Sequence, residues 1–242
     1  MSENVFEQPK NIFGIYPEGI GVNIQEALEN LINQNHLVGF ALQDSAEIIT
    51  RKPEKPYHNL EHTLTVVTNI IYMNLNAIGE EKLTDDELAL VIMGACFHDT
   101  VLENPSNLIN NEAESGRLAV NQLTSQGLTP ADGNLIQWLI LSTHTQITNQ
   151  GIYRPIGSPW DERDKNRQQL MTQYIQDADV ASLGSSEFFI NTVKLAQELG
   201  YTSTQTNFRS FLETQRTTLL NFQFNTTTAK ECFPYQQDSH LK

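Results

Sequence analysis

An all-α, single-domain fold is predicted from three observations. Apolar residues recur at helical spacing along most of the chain, capping residues sit where those runs begin, and strand signals are scarce. The 242 residues are 39% hydrophobic, enough for one domain with a sizeable core. No internal repeat or low-complexity stretch interrupts it.

Ile24, Ala27, Leu28, Leu31 and Ile32 share one helical face, and Gly21 or Asn23 opens that helix. A second helix is predicted from Leu37 to Ile49, after which Pro53 and Pro56 impose an extended connector. These N-terminal helices, 24–49, are expected to pack on a core of about 50–222. Asn59 is a good N-cap for a helix running through Leu64, Val67, Ile70, Ile71 and Leu75 to near Ile78, with Gly79 ending it. Thr84 and Glu87 form a capping box for a helix from Asp85 to about Phe97. That helix is apolar nearly all round and should be central and buried.

Residues 111–125 and 130–143 read as two more helices, the second starting at Pro130. From Gln146 to Lys165 there is no periodicity, but there are Gly151, Pro155, Gly157 and Pro159; irregular insertions of that length often carry function. Helices resume over 166–184, 187–199 and 207–222, the last with an apolar face (Phe208, Phe211, Leu212, Leu219, Phe222) that reads as core or, in a homo-oligomer, as subunit contact. The polar tail, 226–242, is expected to be loosely held.

The formal net charge of −14 disfavours nucleic acid and anionic membranes as partners. A small anionic substrate is still allowed, because a bound cation reverses the field locally. Two cysteines give no disulfide framework, the N-terminus has no basic segment leading into an apolar run, and the longest apolar run, Leu88 to Phe97, cannot span a bilayer. A cytoplasmic protein is the expectation.

Three strings carry the chemistry: Tyr57-His58-Asn59-Leu60-Glu61-His62, Phe97-His98-Asp99 and Asp177-Ala178-Asp179. Imidazole nitrogens and carboxylate oxygens are the ligands of hard or borderline divalent cations, and three of the six histidines fall here. His58 and His62 are one helical turn apart. His98 and Asp99 are neighbours, so both can reach one ion only where their helix ends. Asp179 comes from a distant helix. One cation would tie three helices together and keep positions open for water and substrate, which separates a catalytic from a structural site.

The order His62, His98-Asp99, Asp179 resembles the H…HD…D signature of the HD-domain superfamily of metal-dependent phosphohydrolases. Tyr-His-Asn-x-x-His before an apolar helix is similar to the opening motif of cyclic-nucleotide phosphodiesterases. Asn111-Glu112-x-x-Ser115, and Asp177-Ala178-Asp179 followed by Leu183-Gly184, resemble a group of predicted bacterial HD phosphohydrolases. The likeness covers roughly 50–220. It implies a helical HD-domain bundle with His62, His98, Asp99 and Asp179 as metal ligands. It implies a general acid in His58 and an activated water as nucleophile on a small phosphoester, possibly a nucleotide. Asp177 would orient a ligand from behind. Asp99 could bridge a second cation, with Glu112 and His144 as candidates for that ion or for activating water.

The metal would be manganese, magnesium, cobalt, nickel, iron or zinc. The glutamine that clamps the base in phosphodiesterases has no counterpart that can be placed. The acidic pair that follows His-Asp in the alarmone hydrolases is answered at most by Glu103. Lys55, Arg117, Arg154 and Arg163 are the basic residues nearest the motifs, and a guanidinium fork suits phosphate oxygens. Tyr153 and Trp160 are candidates for a lid over the site. Two other functions fit the same strings: a di-iron oxygenase, in which His144 would be a further ligand, and a module that binds a ligand without turnover.

Overall fold

The computed structural model describes residues 20–102, 108–144, 146–148, 151–153, 165–185, 187–201 and 206–234. They form ten α-helices: α1 (Ile20–Gln34), α2 (His36–Thr50), α3 (Leu60–Asn76), α4 (Asp85–Phe97), α5 (Leu108–Ser125), α6 (Pro130–Ser142), α7 (Lys165–Asp179), α8 (Phe188–Glu198), α9 (Thr206–Asn221) and α10 (Thr227–Cys232). The fold is all-α, as the periodicity predicts.

The helix starts follow their caps. Asn35, Thr129 and Asn59 accept backbone N–H groups at the heads of α2, α6 and α3. At α4 the Thr84–Glu87 capping box closes in both directions. Every residue of α4 from Leu88 to Phe97 except Leu90 is buried. The helix is sheathed by α2, α3, α5, α6 and α7, so it needs no polar face. Its C-terminus, with His98 and Asp99 directly after it, is thereby held deep in the bundle.

Four expectations need correction. First, α3 stops at Asn76; Gly79, at a φ of 59°, opens a short 3-10 turn over Gly79–Glu81 instead of capping the helix, and Ile78 is exposed. Second, within the stretch read as irregular, Gln146–Thr148 (β1) and Gly151–Tyr153 (β2) pair antiparallel. Third, the helix expected over 166–184 breaks at Asp179, and Ala181–Gly184 forms a separate 3-10 turn.

Fourth, the tail is not loose through residue 234. Helix α10 packs on α3 and α7, and Phe222, Phe224, Ala229 and Phe233 join the main core. Asp177 makes this docking possible. Its buried carboxylate accepts from the backbone N–H and side-chain amide of Asn225 and from the N–H and hydroxyl of Thr226, all at 2.9 Å. Glu81 does the same for the first turn of α10, accepting from the N–H groups of Thr227 and Thr228 and from the Thr228 hydroxyl. A sequence rich in threonine reads as polar tail, but its hydroxyls and N–H groups are satisfied by two carboxylates from elsewhere. Residues 235–242 lie outside the described residues.

No helix of the described residues is long and apolar enough to cross a membrane. On α9 Phe211 is buried while Leu212 is exposed, and Phe222, just past the end of α9, is buried.

Candidate metal centre

Three helix ends meet in the bundle: the first turn of α3, which carries His62, and the C-termini of α4 and α7, which carry His98-Asp99 and Asp179. A helix C-terminus bears partial negative charge, so two of these three ends favour a cation between them.

His62, His98 and Asp99 each offer a ligand atom within 4.8 Å of the others and form a group able to hold a metal ion. The Nε2 atoms of His62 and His98 face each other at 3.4 Å. Asp99 Oδ2 lies 3.4 Å from the first and 3.0 Å from the second. Asp179 Oδ1 approaches the same two atoms at 3.2 and 3.5 Å. The His98 side chain is 1% exposed and that of Asp179 is 19% exposed, so the group is closed toward α4 and open on the Asp179 side.

The donor set fits a cation on two grounds. His98 Nδ1 lies 2.7 Å from the Ala95 carbonyl oxygen, which can only accept, so Nδ1 carries a proton. In the neutral ring this leaves the Nε2 lone pair bare and aimed into the cluster. The second ground is charge. Burial pulls both imidazoles down, yet the Asp99 and Asp179 carboxylates beside them more than reverse it; His62 is raised and His98 raised well above its ordinary value. Asp99 and Asp179 are held well below the carboxylate range: burial opposes this, but the two imidazoles outweigh it. Two carboxylates here thus demand positive charge. Two imidazolium groups facing at 3.4 Å would repel; one divalent ion supplies the positive charge without that repulsion.

The remaining candidates separate into those near this cluster and those elsewhere. The His58 ring stands T-shaped to that of His62, centroids 5.7 Å apart. His58 Nδ1 is 2.7 Å from Glu198 Oε1, while Glu198 Oε2 accepts the backbone N–H groups of Tyr57 and His58 at 3.1 and 2.9 Å. Burial would raise the Glu198 carboxyl, but the hydrogen bond and charge of His58 take it down to about 2. Glu112 Oε1 lies 3.4 Å from His144 Nδ1, and the buried Glu112 Oε2 has no hydrogen-bond partner among the described residues. Burial raises the Glu112 carboxyl, its own backbone and His144 oppose that, and the charge of Asp99 adds to the rise. Ser115, from the same motif as Glu112, accepts from the Val101 N–H at 2.9 Å and fixes the chain just after Asp99.

The Asp177 carboxylate accepts from Asn225 and Thr226, because residues two apart at the end of α7 point to different sides; Asp179 is the one that approaches the imidazoles. Arg117 pairs with Glu114 one turn back on the exposed face of α5, and among the described residues no ion pair links it to the cluster. Lys55 donates to the Leu102 carbonyl at 2.8 Å and stands 3.8 Å from Glu198, bracing the connector that leads into α3. Glu103, Arg154, Trp160 and Arg163 lie outside the described residues, as does the side chain of Tyr153.

Sequence reasoning missed Glu198. At the end of an ordinary amphipathic helix it reads as solvated charge, and no spacing ties it to His58, 140 positions away. Tyr57 was part of a quoted motif without a role; burial and the carboxylates of Asp179, Asp99 and Glu198 push its phenol above the usual range, although a hydrogen bond with Ser182 pulls the other way. Comparison with protein-family models and with curated proteins gives no match to this chain.

Proposed function

We propose that this protein is a metal-dependent phosphohydrolase of the HD-domain type, acting on a small phosphoester. The observation that carries the reading is the convergence of His62, His98, Asp99 and Asp179 on one point, with a carboxylate-held histidine beside it. A divalent ion bound there would supply Lewis acidity, offsetting phosphoryl charge and lowering the pKa of a water from ~15.7 toward ~7. The four side chains would hold that ion, and the solvent-facing Asp179 side leaves room for substrate.

His58 is the proton donor to the leaving oxygen. Glu198 orients its ring through Nδ1, so Nε2 is the nitrogen that can deliver a proton. Because Glu198 stays ionised down to a pH of about 2, it holds the ring in place across any working range. Lys55 and the backbone of Tyr57 and His58 keep Glu198 in place in turn.

The test is phosphate release from a panel of phosphoesters with manganese, magnesium, cobalt or nickel. Metal-dependent release that is lost in Asp99→Ala is expected; no turnover of any ester with any ion would overturn the reading. A second reading rests on the Glu112–His144 pair, whose carboxyl feels the charge of Asp99. The pair would hold a second ion, as either a binuclear hydrolase or a di-iron oxygenase requires. Two irons per chain with oxygen uptake would favour the oxygenase.

A further inference from the structure

Beside the metal cluster, on the side of His62 and Asp179, a pocket opens whose far wall is α8. Glu187, at the head of that helix, with Asn191 and Lys194, recurs at i, i+4 and i+7, so the three share one face, and all three line the pocket. Lys194 is the one lysine or arginine among the described lining residues, and it is already engaged: its Nζ lies 3.3 Å from Glu61 Oε2, and Glu61 lines the pocket too. Glu187 forms no ion pair among the described residues. The Asn191 amide, half-buried, offers a donor and an acceptor that no described residue occupies.

We infer that this pocket receives the part of the substrate beyond the reacting phosphoryl group, and that α8 selects a neutral or cationic hydrogen-bonding group, such as the amino-alcohol half of a phosphoester, over a further phosphate. The inference rests on the phosphohydrolase reading for where the phosphoryl group sits. The argument is one of charge. A second phosphate entering here meets Glu61 and Glu187, and the one ammonium that could receive it must first leave Glu61, stranding that carboxylate beside Glu187 and the incoming anion. An ammonium or hydroxyl group meets the opposite situation. Glu187 offers it an unpaired carboxylate, Asn191 accepts or donates a hydrogen bond, and the Glu61–Lys194 pair stays intact. The net charge of −14 acts in the same direction over longer range.

The experiment is calorimetric titration of the manganese-loaded protein with phosphoethanolamine, glycerol phosphate and inorganic pyrophosphate, alongside separate phosphate-release assays. Phosphoethanolamine is expected to bind about tenfold or more tightly than pyrophosphate. Glu187→Gln, with manganese stoichiometry unchanged, should weaken phosphoethanolamine about tenfold and leave pyrophosphate unaffected or slightly tighter. Pyrophosphate binding as tightly as phosphoethanolamine, equal loss of both probes in Glu187→Gln, or no binding of any probe to the loaded protein would overturn the inference. Preferential binding with no phosphate release from any ester of the panel overturns the hydrolase reading instead and leaves the selectivity of the pocket standing.

Discussion

A single hydrogen bond sets the chemistry of His98. With Nδ1 donating to the Ala95 carbonyl, the ring has only Nε2 left to offer, and Nε2 faces His62 and two carboxylates. In the metal-free protein both imidazoles are raised, so a metal must displace protons to bind. The sign follows: lowering pH favours the protonated rings and weakens metal affinity, by up to about tenfold per pH unit for each proton displaced. Isothermal titration at two pH values in buffers of different ionisation heat measures both the affinity and the protons released. Glu198 gives a second prediction. Glu198→Gln keeps the shape but loosens the hold on His58, so kcat should fall about 10–100-fold while KM and metal content hold steady. At this scale the side chains of the candidate metal group were legible, because imidazole and carboxylate beside apolar helix have few other uses. Glu198 was not: an acid becomes a positioning group only through a contact 140 residues away in sequence.

At the scale of elements, legibility followed locality. The starts of α3 and α4 were readable because Asn59 and the Thr84–Glu87 box satisfy N–H groups within their own first turn. Helix α10 was not, because the groups that hold it come from α7 and from the 3-10 turn before α4. Asp177→Ala would leave the buried N–H groups of Asn225 and Thr226 unpaired, at a cost of about 3 kcal/mol, and should expose 222–234 to protease before the bundle unfolds. The turn after α7 has its own constraint. A Cβ on Gly184 would stand 2.5 Å from the Phe233 carbonyl oxygen, so only glycine lets the C-terminal segment pass. Gly184→Ala should destabilise by about 1–3 kcal/mol in a urea titration. The Leu183-Gly184 pair thus has a packing reason that the motif alone did not reveal. The break at Asp179 and the β1–β2 pairing carried no comparable local signal.

For the whole molecule, one buried helix organises everything. Because α4 is sheathed by α2, α3, α5, α6 and α7, its C-terminal His98-Asp99 becomes the point on which the ends of α3 and α7 converge. The elements around it are tied by charge as well as packing. Arg167 of α7 donates from Nε to Glu87 of α4 at 2.8 Å and from its other nitrogens to Glu87 and the carbonyls of Glu80 and Lys82. That guanidinium holds the Glu87 carboxyl below its ordinary value of 4.5, although burial opposes it. A depressed folded-state value means the stabilisation is complete above pH 4.5 and is lost as pH falls through the lower folded value. Arg167→Ala should therefore cost stability near neutrality, and the gap from the unaltered protein should narrow as pH drops below 4.5, read by urea midpoints across pH.

The central claim, that residues 62, 98, 99 and 179 share one ion, is tested most directly by metal-binding stoichiometry. Protein stripped of metal and titrated with cobalt, whose absorption reports its ligands, should take up an ion with imidazole–carboxylate character, and His98→Ala, Asp99→Ala and Asp179→Ala should each abolish that uptake while the helical circular dichroism is retained. Equal cobalt uptake by the folded variants and the unaltered chain, or none by either, would contradict it.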